Sequence, residues 1–532
     1  MPSNEAVEMQ HQQRSTHVDT EAAGLDEVDG VYRSTQADAQ AMNRMGRSQE
    51  LVRHYRLFSL VSFVVVATSA WQLTLFQVTP ALINGGAPAL LWSYLWCFVG
   101  FVPIILSMAE MASMAPIAGA QYHWVSEFAP ERYQKFLSYM TGWLSTLAWQ
   151  SGNTQGIFLL GTLIQSIILI NNPDYAFPNW HATVIAIGVT IVSVPLSIYG
   201  THIIPYLQNA LFALAIAAYI GFLIPIWINA PVVPSSDVWT KWEFTGGWES
   251  TVLAVFIAQL PAITARTGVD TAAHMSEEVK NASMSVPRVM IIIFIVNFLQ
   301  TFITSLTLVY HIPSIEQSLA DPSTYPAIYV IKQSMSTAWV TVLLTIICAL
   351  LWVGVVSYLA AVSRDLYAFS RDNGLPYSAW ISKVDPKLHT PTNAYIFSGV
   401  FACIFSLIYI GSPVAFYALT SLYVVAIIGC YVISSSCMLW RRIYYPETLP
   451  FAQWSLGRWG VPVNAAAVAF GLWSFFWSFW PQSTPVIVGL FNWSSPIFVA
   501  TIIISLIYYF VAGRKRYDGP VVLVEGRKRH MA

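Results

Sequence analysis

Twelve long apolar segments run through the sequence, and they constrain its fold more than any other feature. A helix that crosses the ~30 Å hydrocarbon core of a bilayer needs about 20 such residues, and backbone groups inside the bilayer must bond within the span. Because these runs are continuous rather than alternating, helices fit and strands do not. We therefore predict an all-α, polytopic membrane protein with twelve transmembrane helices. The predicted spans are 57–83, 88–115, 136–170, 181–200, 203–228, 250–274, 288–311, 336–363, 393–411, 414–440, 461–481 and 486–511.

The composition and the placement of charge agree with that fold. Hydrophobic residues make up 56% of the 532 and charged residues only 10%, a proportion that soluble domains do not reach. Of the 26 lysines and arginines, 23 lie before the first span, after the last, or in loops that follow even-numbered spans. Since basic residues in short loops stay on the cytoplasmic side, both termini are predicted to be cytoplasmic. The plasma membrane is the expected location, with a vacuolar or other internal membrane as the alternative.

The chain divides into three predicted parts. Residues 1–45 are polar, with few large apolar groups, and are predicted to form a disordered cytoplasmic tail. Residues 46–512 form the helical domain, and the basic tail 513–532 is predicted to lie against an anionic inner leaflet. Within the domain, the first repeat is predicted to cover 57–228 and the second repeat 250–440. The last two helices cover 461–511.

A basic segment precedes the first span. Residues 35–56 combine Met42, Met45 and Leu51 with four arginines near helical spacing. This pattern predicts an amphipathic element on the inner membrane surface. The alternative is a plug for an inward-facing cavity.

Two spans are interrupted by polar residues near their middle. Span 1 contains Thr68–Gln72, and span 6 contains Pro261–Asp270, which includes a proline, a glycine and two opposite charges. Non-helical backbone at membrane depth is tolerated where it lines a cavity. Because the breaks fall in spans 1 and 6, the pattern predicts a 5+5 inverted repeat whose broken helices face each other near the midplane.

The breaks supply the first candidate substrate-binding residues, and neighbouring spans supply the rest. Those in the breaks are Ser69, Ala70, Trp71, Gln72, Arg266, Thr267, Gly268 and Val269. Those on spans 3, 8 and 10 are Gln150, Asn153, Trp352 and Tyr423. For this second set, hydrogen bonding between helices and ordinary aromatic packing are open alternatives to a place in the cavity wall.

Five ionisable residues at the predicted inner ends of spans 2 and 6 are candidates for gating or proton coupling. They are Glu110, Asp270, His274, Glu277 and Glu278. A histidine titrates near neutral pH, although solvated residues at a helix end are an equally open interpretation. For Glu110 the alternative is a structural ion pair, with Arg364 or Arg371 as its partner.

Six short motifs fall between residues 42 and 512. They are Asn43–Leu51, Ala109–Ser113, Gly119–Val125, Gly142–Ser145, Ala272–Val279 and Ser363–Pro376. These motifs resemble the signatures of fungal amino-acid permeases of the GABA/choline type, in the amino acid–polyamine–organocation superfamily. The resemblance implies a leucine-transporter-type fold and transport by alternating access, commonly coupled to protons. It also implies a substrate held against the breaks of spans 1 and 6, with walls from spans 3, 8 and 10.

Two positions depart from the pattern of that family. Relatives carry Trp-Glu where this chain has Trp71–Gln72, and a neutral residue at the position of Arg266. One hypothesis is that Arg266 clamps a substrate carboxylate with its two-pronged guanidinium. The alternative is an ion pair between Arg266 and Asp270, four residues later.

The sequence carries no nucleotide-binding or metal-binding motif. We therefore predict a secondary active transporter, not an enzyme, that moves an amino acid or a related small carboxylated or amine metabolite with protons. No cofactor and no nucleic acid are expected; the expected partners are the substrate, protons and the lipid bilayer, and the oligomeric state is open. The alternatives are a nutrient sensor that keeps the fold without net transport, and a choline- or polyamine-type cation permease.

Overall fold

The chain is almost entirely helical wherever its structure is described. Its strands form one antiparallel ribbon of Glu27–Asp29 with Ser34–Thr35. The all-α prediction is confirmed. The outer parts of the predicted tails, 1–26 and 525–532, lie outside the described residues. The computed structural model describes residues 27–29, 33–200, 203–411, 414–488 and 491–524.

Eleven helices in the described ranges are long and apolar enough to cross a membrane. They match predicted spans 1 to 5 and 7 to 12, and those numbers are kept below. Their bounds are Leu57–Ile83, Gly86–Met114, Gln134–Asn171, Asn179–Gly200, Leu207–Asn229, Ala282–Tyr310, Thr337–Arg371, Thr392–Ile410, Phe416–Tyr444, Gly457–Trp477 and Ser494–Leu523. Span 6 consists of a shorter apolar helix, Thr251–Thr264, and the single turn Thr271–His274. The total of twelve and the inverted repeat therefore stay predictions. The short helix Gln36–Arg44 precedes span 1, and other short helices connect spans over Ala120–Phe128, Ser235–Thr240, Ile315–Leu319, Pro326–Ser334 and Ser378–Ile381.

Span 1 is broken at Ser69, as the sequence predicts. Its first helix, Leu57–Thr68, ends there because Ser69 has left-handed backbone angles (φ 43°, ψ 40°), which side chains with a β carbon rarely adopt. A second helix, Ala70–Gln77, continues the span. The Ser69 hydroxyl donates to the Val66 carbonyl at 2.9 Å and so satisfies one acceptor that the break leaves without a helical partner.

Span 6 is also broken where the sequence predicts. The helix that contains Pro261 ends at Thr264, and helical structure resumes only at Thr271. Between them Gly268 has a φ of 82°, a conformation that costs glycine little because it lacks a β carbon. Residues 265–270 therefore form a non-helical turn inside the bundle.

Span 8 is longer than predicted. The sequence analysis ends it at 363, whereas the helix continues to Arg371. The additional turns are stabilised because Leu366, Tyr367 and Phe369 are fully buried among other helices. Helix packing therefore continues past the first charged residues. As a result, Arg364 and Asp365 lie on a buried helix and not in a loop.

Spans 3, 8 and 10, together with the broken span 1 (72% buried), form the centre of the bundle. The most apolar windows of spans 3, 8 and 10 are 67%, 61% and 78% buried by the rest of the chain. The corresponding windows of spans 5 and 12 are only 22% and 17% buried, and large apolar side chains such as Tyr199 and Ile228 are exposed. These peripheral surfaces are suited to contact with lipid.

The chain segments that flank the spans pack against one end of the bundle, called the tail face here. Arg44 pairs with Glu127 at 2.8 Å, and Arg47 pairs with Asp372. The C-terminal Tyr517 lies 2.5 Å from the Ser138 hydroxyl. The predicted disorder of residues 1–45 therefore does not extend to the helix Gln36–Arg44, whose arginine binds a protein carboxylate.

Candidate substrate site

A cavity lies between the breaks of spans 1 and 6, near the middle of the bundle. Spans 3, 7, 8 and 10 complete its wall. Gly354 lets the backbones of spans 1 and 8 approach, because a β carbon there would lie 2.9 Å from the Val66 carbonyl. The lining residues are Ala67, Thr68, Ser69, Ala70, Leu73, Thr74, Gln77, Gly152, Asn153, Gln155, Gly156, Thr264, Ala265, Thr267, Gly268, Asn297, Leu351, Gly354, Val355, Tyr358 and Tyr423.

The cavity wall is largely apolar, and its polar groups are uncharged. Among the described residues that line it, none is an acid, a base or a histidine. Hydroxyl and amide groups alternate with small apolar side chains. A charged ligand in this cavity would therefore be neutralised by helix ends and backbone dipoles, and not by a side-chain counter-ion.

Several polar groups in the wall have unused hydrogen-bonding capacity. Within the described structure, neither amide atom of Asn153 has a partner, and the Asn297 carbonyl oxygen has none either. Asn153 is only 2% exposed. Buried polar groups without partners are uncommon in folded proteins, because each costs about 1–3 kcal/mol. These groups are suited to a polar ligand.

Six of the twelve predicted substrate residues line the cavity: Ser69, Ala70, Asn153, Thr267, Gly268 and Tyr423. The other six lie outside its lining. Gln150 donates to Ser398 at 2.8 Å and Trp352 donates to Ser193 at 2.9 Å, which are contacts between helices. Trp71 stacks on Phe222 with ring centroids 5.7 Å apart. The remaining three outside the lining are Gln72, Val269 and Arg266.

Arg266 does not form the hypothesised ion pair with Asp270 in this structure. Its guanidinium donates to the Thr301 hydroxyl of span 7 and lies 5.6 and 5.3 Å from the ring centroids of Tyr94 and Phe298. In the described residues no carboxylate pairs with it, and its Nε and one terminal nitrogen have no hydrogen-bond partner. Arg266 is thus a buried cation held by aromatic rings.

Asp270 is occupied by other partners. Its two oxygens accept hydrogen bonds from Gln121 at 2.6 Å and Tyr431 at 2.7 Å. His274 lies beside it, with Nε2 3.8 Å from Asp270 Oδ2. His274 Nδ1 donates to the Ala118 carbonyl at 2.8 Å.

The remaining predicted gating residues form ion pairs near the tail face. Glu278 accepts from Arg364 at 2.6 Å, and Glu277 accepts from Arg371 at 3.1 Å. Burial raises the pKa of the Glu277 carboxyl, but Arg371 and the Ala118 N–H lower it further, so the balance lies below the ordinary value. Glu277 is therefore a carboxylate at neutral pH.

Glu110 has a partner that the sequence analysis did not name. It pairs with Arg442 at the end of span 10 and accepts from the Leu456 N–H at 2.9 Å. Arg364 and Arg371 were the expected partners, and this expectation was wrong. Span 8 continues as a helix through both arginines and directs them to Glu278 and Glu277.

Sequence reasoning missed several polar groups at the site. In the wall these are Gln77, Asn297 and Tyr358, which are polar residues inside apolar spans and could have been found by that signal. Next to His274 it missed Asp365, whose Oδ1 is 3.6 Å from Nδ1. Asp365 belongs to a recognised motif but was assigned to a loop.

The fold is that of an integral, multi-pass membrane protein with a buried cavity where two interrupted spans meet, an architecture typical of transporters. A family profile described as "Amino acid permease" matches residues 57–507. The chain belongs to this family, within the amino acid–polyamine–organocation superfamily.

Curated relatives are similar along most of their length. Amino-acid permease 2 of Neurospora crassa is 25% identical over 496 residues, 92% of this chain and 90% of the relative. The GABA-specific permease of Saccharomyces cerevisiae is 26% identical over 494 residues, 91% of this chain and 86% of the relative. A Candida albicans protein provisionally described as a polyamine transporter is 25% identical over 518 residues, 93% and 90% of the two chains.

Proposed function

We propose that this chain is a secondary active transporter that carries an amino acid or a small related amine through the cavity between the two breaks. The observation that carries the proposal is that both interrupted helices line one buried cavity whose amide and hydroxyl groups have free hydrogen-bonding capacity. Relatives named for amino acids, GABA and polyamines support the substrate class.

The broken helices give the substrate a proposed orientation. The N-terminus of Ala70–Gln77 opens at the cavity, where the first N–H groups lack helical partners and favour a carboxylate. The ammonium then faces carbonyls at the end of Leu57–Thr68 and the oxygens of Asn153 and Tyr358. Because no charged side chain is found among the described lining residues, this site favours a zwitterion or a short amine over a multiply charged polyamine.

Alternating access is proposed to move the spans that carry the breaks against the central spans 3, 8 and 10. The tail face is proposed to be cytoplasmic, since 23 of the 26 basic residues fall on that side of the predicted topology. A proton gradient is the proposed driving force. One proton that crosses about 100 mV contributes roughly 2.3 kcal/mol, which supports about fifty-fold accumulation.

Competition uptake with matched ligands tests the substrate class. Purified protein is reconstituted in liposomes with an acidic exterior and a negative interior potential. Two sets of compounds are assayed for uptake and competition. The first set is 4-aminobutyrate, propylamine and butyrate, and the second is L-alanine, ethylamine and propionate. In each set the amine lacks the carboxylate and the acid lacks the ammonium. We expect one amino acid to accumulate, and its amine and acid to compete more weakly because each loses the contacts at one end.

The same liposomes distinguish transport from sensing. A sensor binds one of the six compounds but accumulates none of them. Binding without accumulation would therefore overturn the transport proposal and leave the cavity as a receptor site. If a radiolabelled polyamine is accumulated while all six compounds fail to compete, the proposed substrate class is wrong.

A further inference from the structure

A buried cluster of two carboxylates and one imidazole lies between the cavity and the tail face. His274 is at its centre, 3.8 Å from Asp270 on one side and 3.6 Å from Asp365 on the other. All three side chains are at most 1% exposed. The cluster joins span 6, which carries a break, to span 8 of the central bundle.

The two carboxylates are stabilised to different extents. Asp270 accepts a hydrogen bond at each oxygen, from Gln121 and Tyr431. Asp365 accepts one, from Ser145 at 2.6 Å, and its Oδ2 has no partner among the described residues. Because hydrogen bonds to a carboxylate favour its ionised form, Asp365 is the carboxyl that binds a proton more readily.

The charge of the cluster also depends on one proton. With an imidazolium and two carboxylates the buried group has a net charge of −1, and one added proton makes it neutral. Burial favours the neutral state, and the three groups are close enough for a proton on one to change the electrostatic energy of the others. The arginines nearest in sequence on span 8, Arg364 and Arg371, are already paired with Glu278 and Glu277.

The other groups around the cluster are uncharged. The ring of Trp149 on span 3 packs edge-on against His274, with centroids 4.6 Å apart. Trp149 also contacts Tyr358, a residue of the cavity wall. The titratable neighbours on spans 8 and 10 are Tyr358, Tyr423, Cys430 and Tyr431.

We propose that Asp365 is the carboxyl that takes up and releases the transported proton, with His274 between it and Asp270. This inference rests on the proposed transport function. The proton comes from water on one side and returns to water on the other, so no co-reactant is needed. A proton on Asp365 weakens its attraction to His274, which changes how strongly span 6 is held against span 8 and so couples protonation to the movement of the breaks.

Asp365→Asn tests the proposal, because it keeps the shape of the side chain and removes its titration. Asp174→Asn is the matched control, since Asp174 is exposed in a loop. Each variant in liposomes is assayed with 4-aminobutyrate and L-alanine for exchange without a gradient, for accumulation driven by a pH gradient, and for proton entry with a pH-sensitive dye. We expect Asp365→Asn to retain exchange but lose accumulation and proton entry, and Asp174→Asn to behave as wild type.

The outcomes separate this inference from the proposed function. If the wild-type protein neither exchanges nor accumulates either amino acid, the assigned substrates are wrong. If the wild type exchanges without proton entry, the proposed proton coupling is wrong. If the wild type couples uptake to proton entry and Asp365→Asn still accumulates substrate with protons, only the proton site is wrong.

Two further measurements apply if Asp365→Asn does not fold. Ser145→Ala removes the hydrogen bond to Asp365 and thereby destabilises its ionised form. The pH midpoint of accumulation should therefore shift upward, and an unshifted midpoint would overturn the proposal. In the wild type, infrared difference spectra between about pH 5 and pH 8 should show a buried protonated carboxyl band, and absence of that band would also overturn it.

Discussion

At the scale of single residues, Asn153 and Gln150 show how similar side chains on one helix differ in role. Both are on span 3 and almost fully buried. Asn153 faces the cavity with both amide atoms unpartnered, whereas Gln150 donates to Ser398 on span 9. One amide is available to a ligand and the other joins two helices.

Alanine at these two positions should affect different measurements. Asn153→Ala should raise KM about tenfold, the equivalent of about 1.4 kcal/mol, with little change in the thermal denaturation midpoint. Gln150→Ala removes the hydrogen bond to Ser398 and should lower the free energy of unfolding by about 1 kcal/mol. The thermal denaturation midpoint should therefore fall, and KM should stay unchanged. Uptake kinetics and thermal denaturation in detergent measure both, and a larger KM effect at Gln150 would contradict the assignment.

Arg266 is a buried cation without a counter-ion in the described structure. Replacement of a buried charge by an apolar residue of similar size is often neutral or stabilising. Arg266→Met should therefore keep or raise the thermal denaturation midpoint. Selective loss of amino-acid uptake in that stable variant, with amine uptake retained, would support the clamp hypothesis, and a large fall in the midpoint would show that the guanidinium holds the fold.

At the scale of elements, the breaks depend on the helices packed against them. Span 8 presents Gly354 to the break of span 1, and this contact leaves no room for a β carbon beside Ser69 and the Val66 carbonyl. Apolar periodicity in span 8 does not reveal this requirement. The broken conformation of span 1 is thus supported by a neighbour that lies far away in sequence.

Gly354→Ala should displace span 1 at its break. Overpacking in a close-packed interior costs about 1–3 kcal/mol, so we expect a lower thermal denaturation midpoint and reduced uptake. Gly188→Ala on span 4 is the control, because a β carbon there meets no atom within 4 Å, and it should leave both measurements unchanged. Equal effects of the two substitutions would show that the close approach to Ser69 is unimportant.

At the scale of the whole molecule, the segments before span 1 and after span 12 close one end of the bundle. Arg53 donates to the Ser276 carbonyl at 2.9 Å, and Asp38 accepts from the Ala282 N–H at 3.0 Å, which caps span 7. Ion pairs between Glu277 and Arg371 and between Glu278 and Arg364 continue this network into span 8. The tail face is therefore held by charges that belong to distant parts of the chain.

Glu277→Gln should destabilise the protein in a pH-dependent way. The pKa of Glu277 is lowered in the folded state. Its ionised carboxylate therefore makes its full contribution to the free energy of unfolding above the unfolded pKa of about 4.3, and this contribution is lost as the pH falls through the folded-state pKa. At pH 7 the variant leaves Arg371 buried without its partner, a loss of about 3–5 kcal/mol. The difference in thermal denaturation midpoint from wild type should be constant from about pH 7 to pH 5 and shrink below about pH 4.

Glu243→Gln provides the comparison for that measurement. Glu243 pairs with Lys241 at 2.9 Å, but the lysine is 63% exposed, and exposed ion pairs contribute about 0–1 kcal/mol. Its substitution should leave the midpoint unchanged at every pH. A comparable fall in the thermal denaturation midpoint in both variants would show that burial of the Glu277–Arg371 pair does not matter.

The sequence by itself determined the helical membrane fold, the positions of the spans and the two breaks. Continuous apolar runs, Pro261 and Gly268 act locally, and a bilayer leaves the backbone few alternatives. It also predicted Ser69 and Asn153 at the cavity, because polar groups inside apolar spans are costly unless they have partners, while Tyr423 followed from the cavity walls that the family resemblance implies.

Only the tertiary structure decided which polar groups meet. In that structure Glu110 pairs with Arg442, Arg266 lies between aromatic rings, and Asp365 lies beside His274. These pairings join residues from different helices, and the direction in which a buried side chain points depends on how the helices rotate and pack against one another. Local sequence does not determine that rotation, so the partners of buried charges could not be predicted from the sequence.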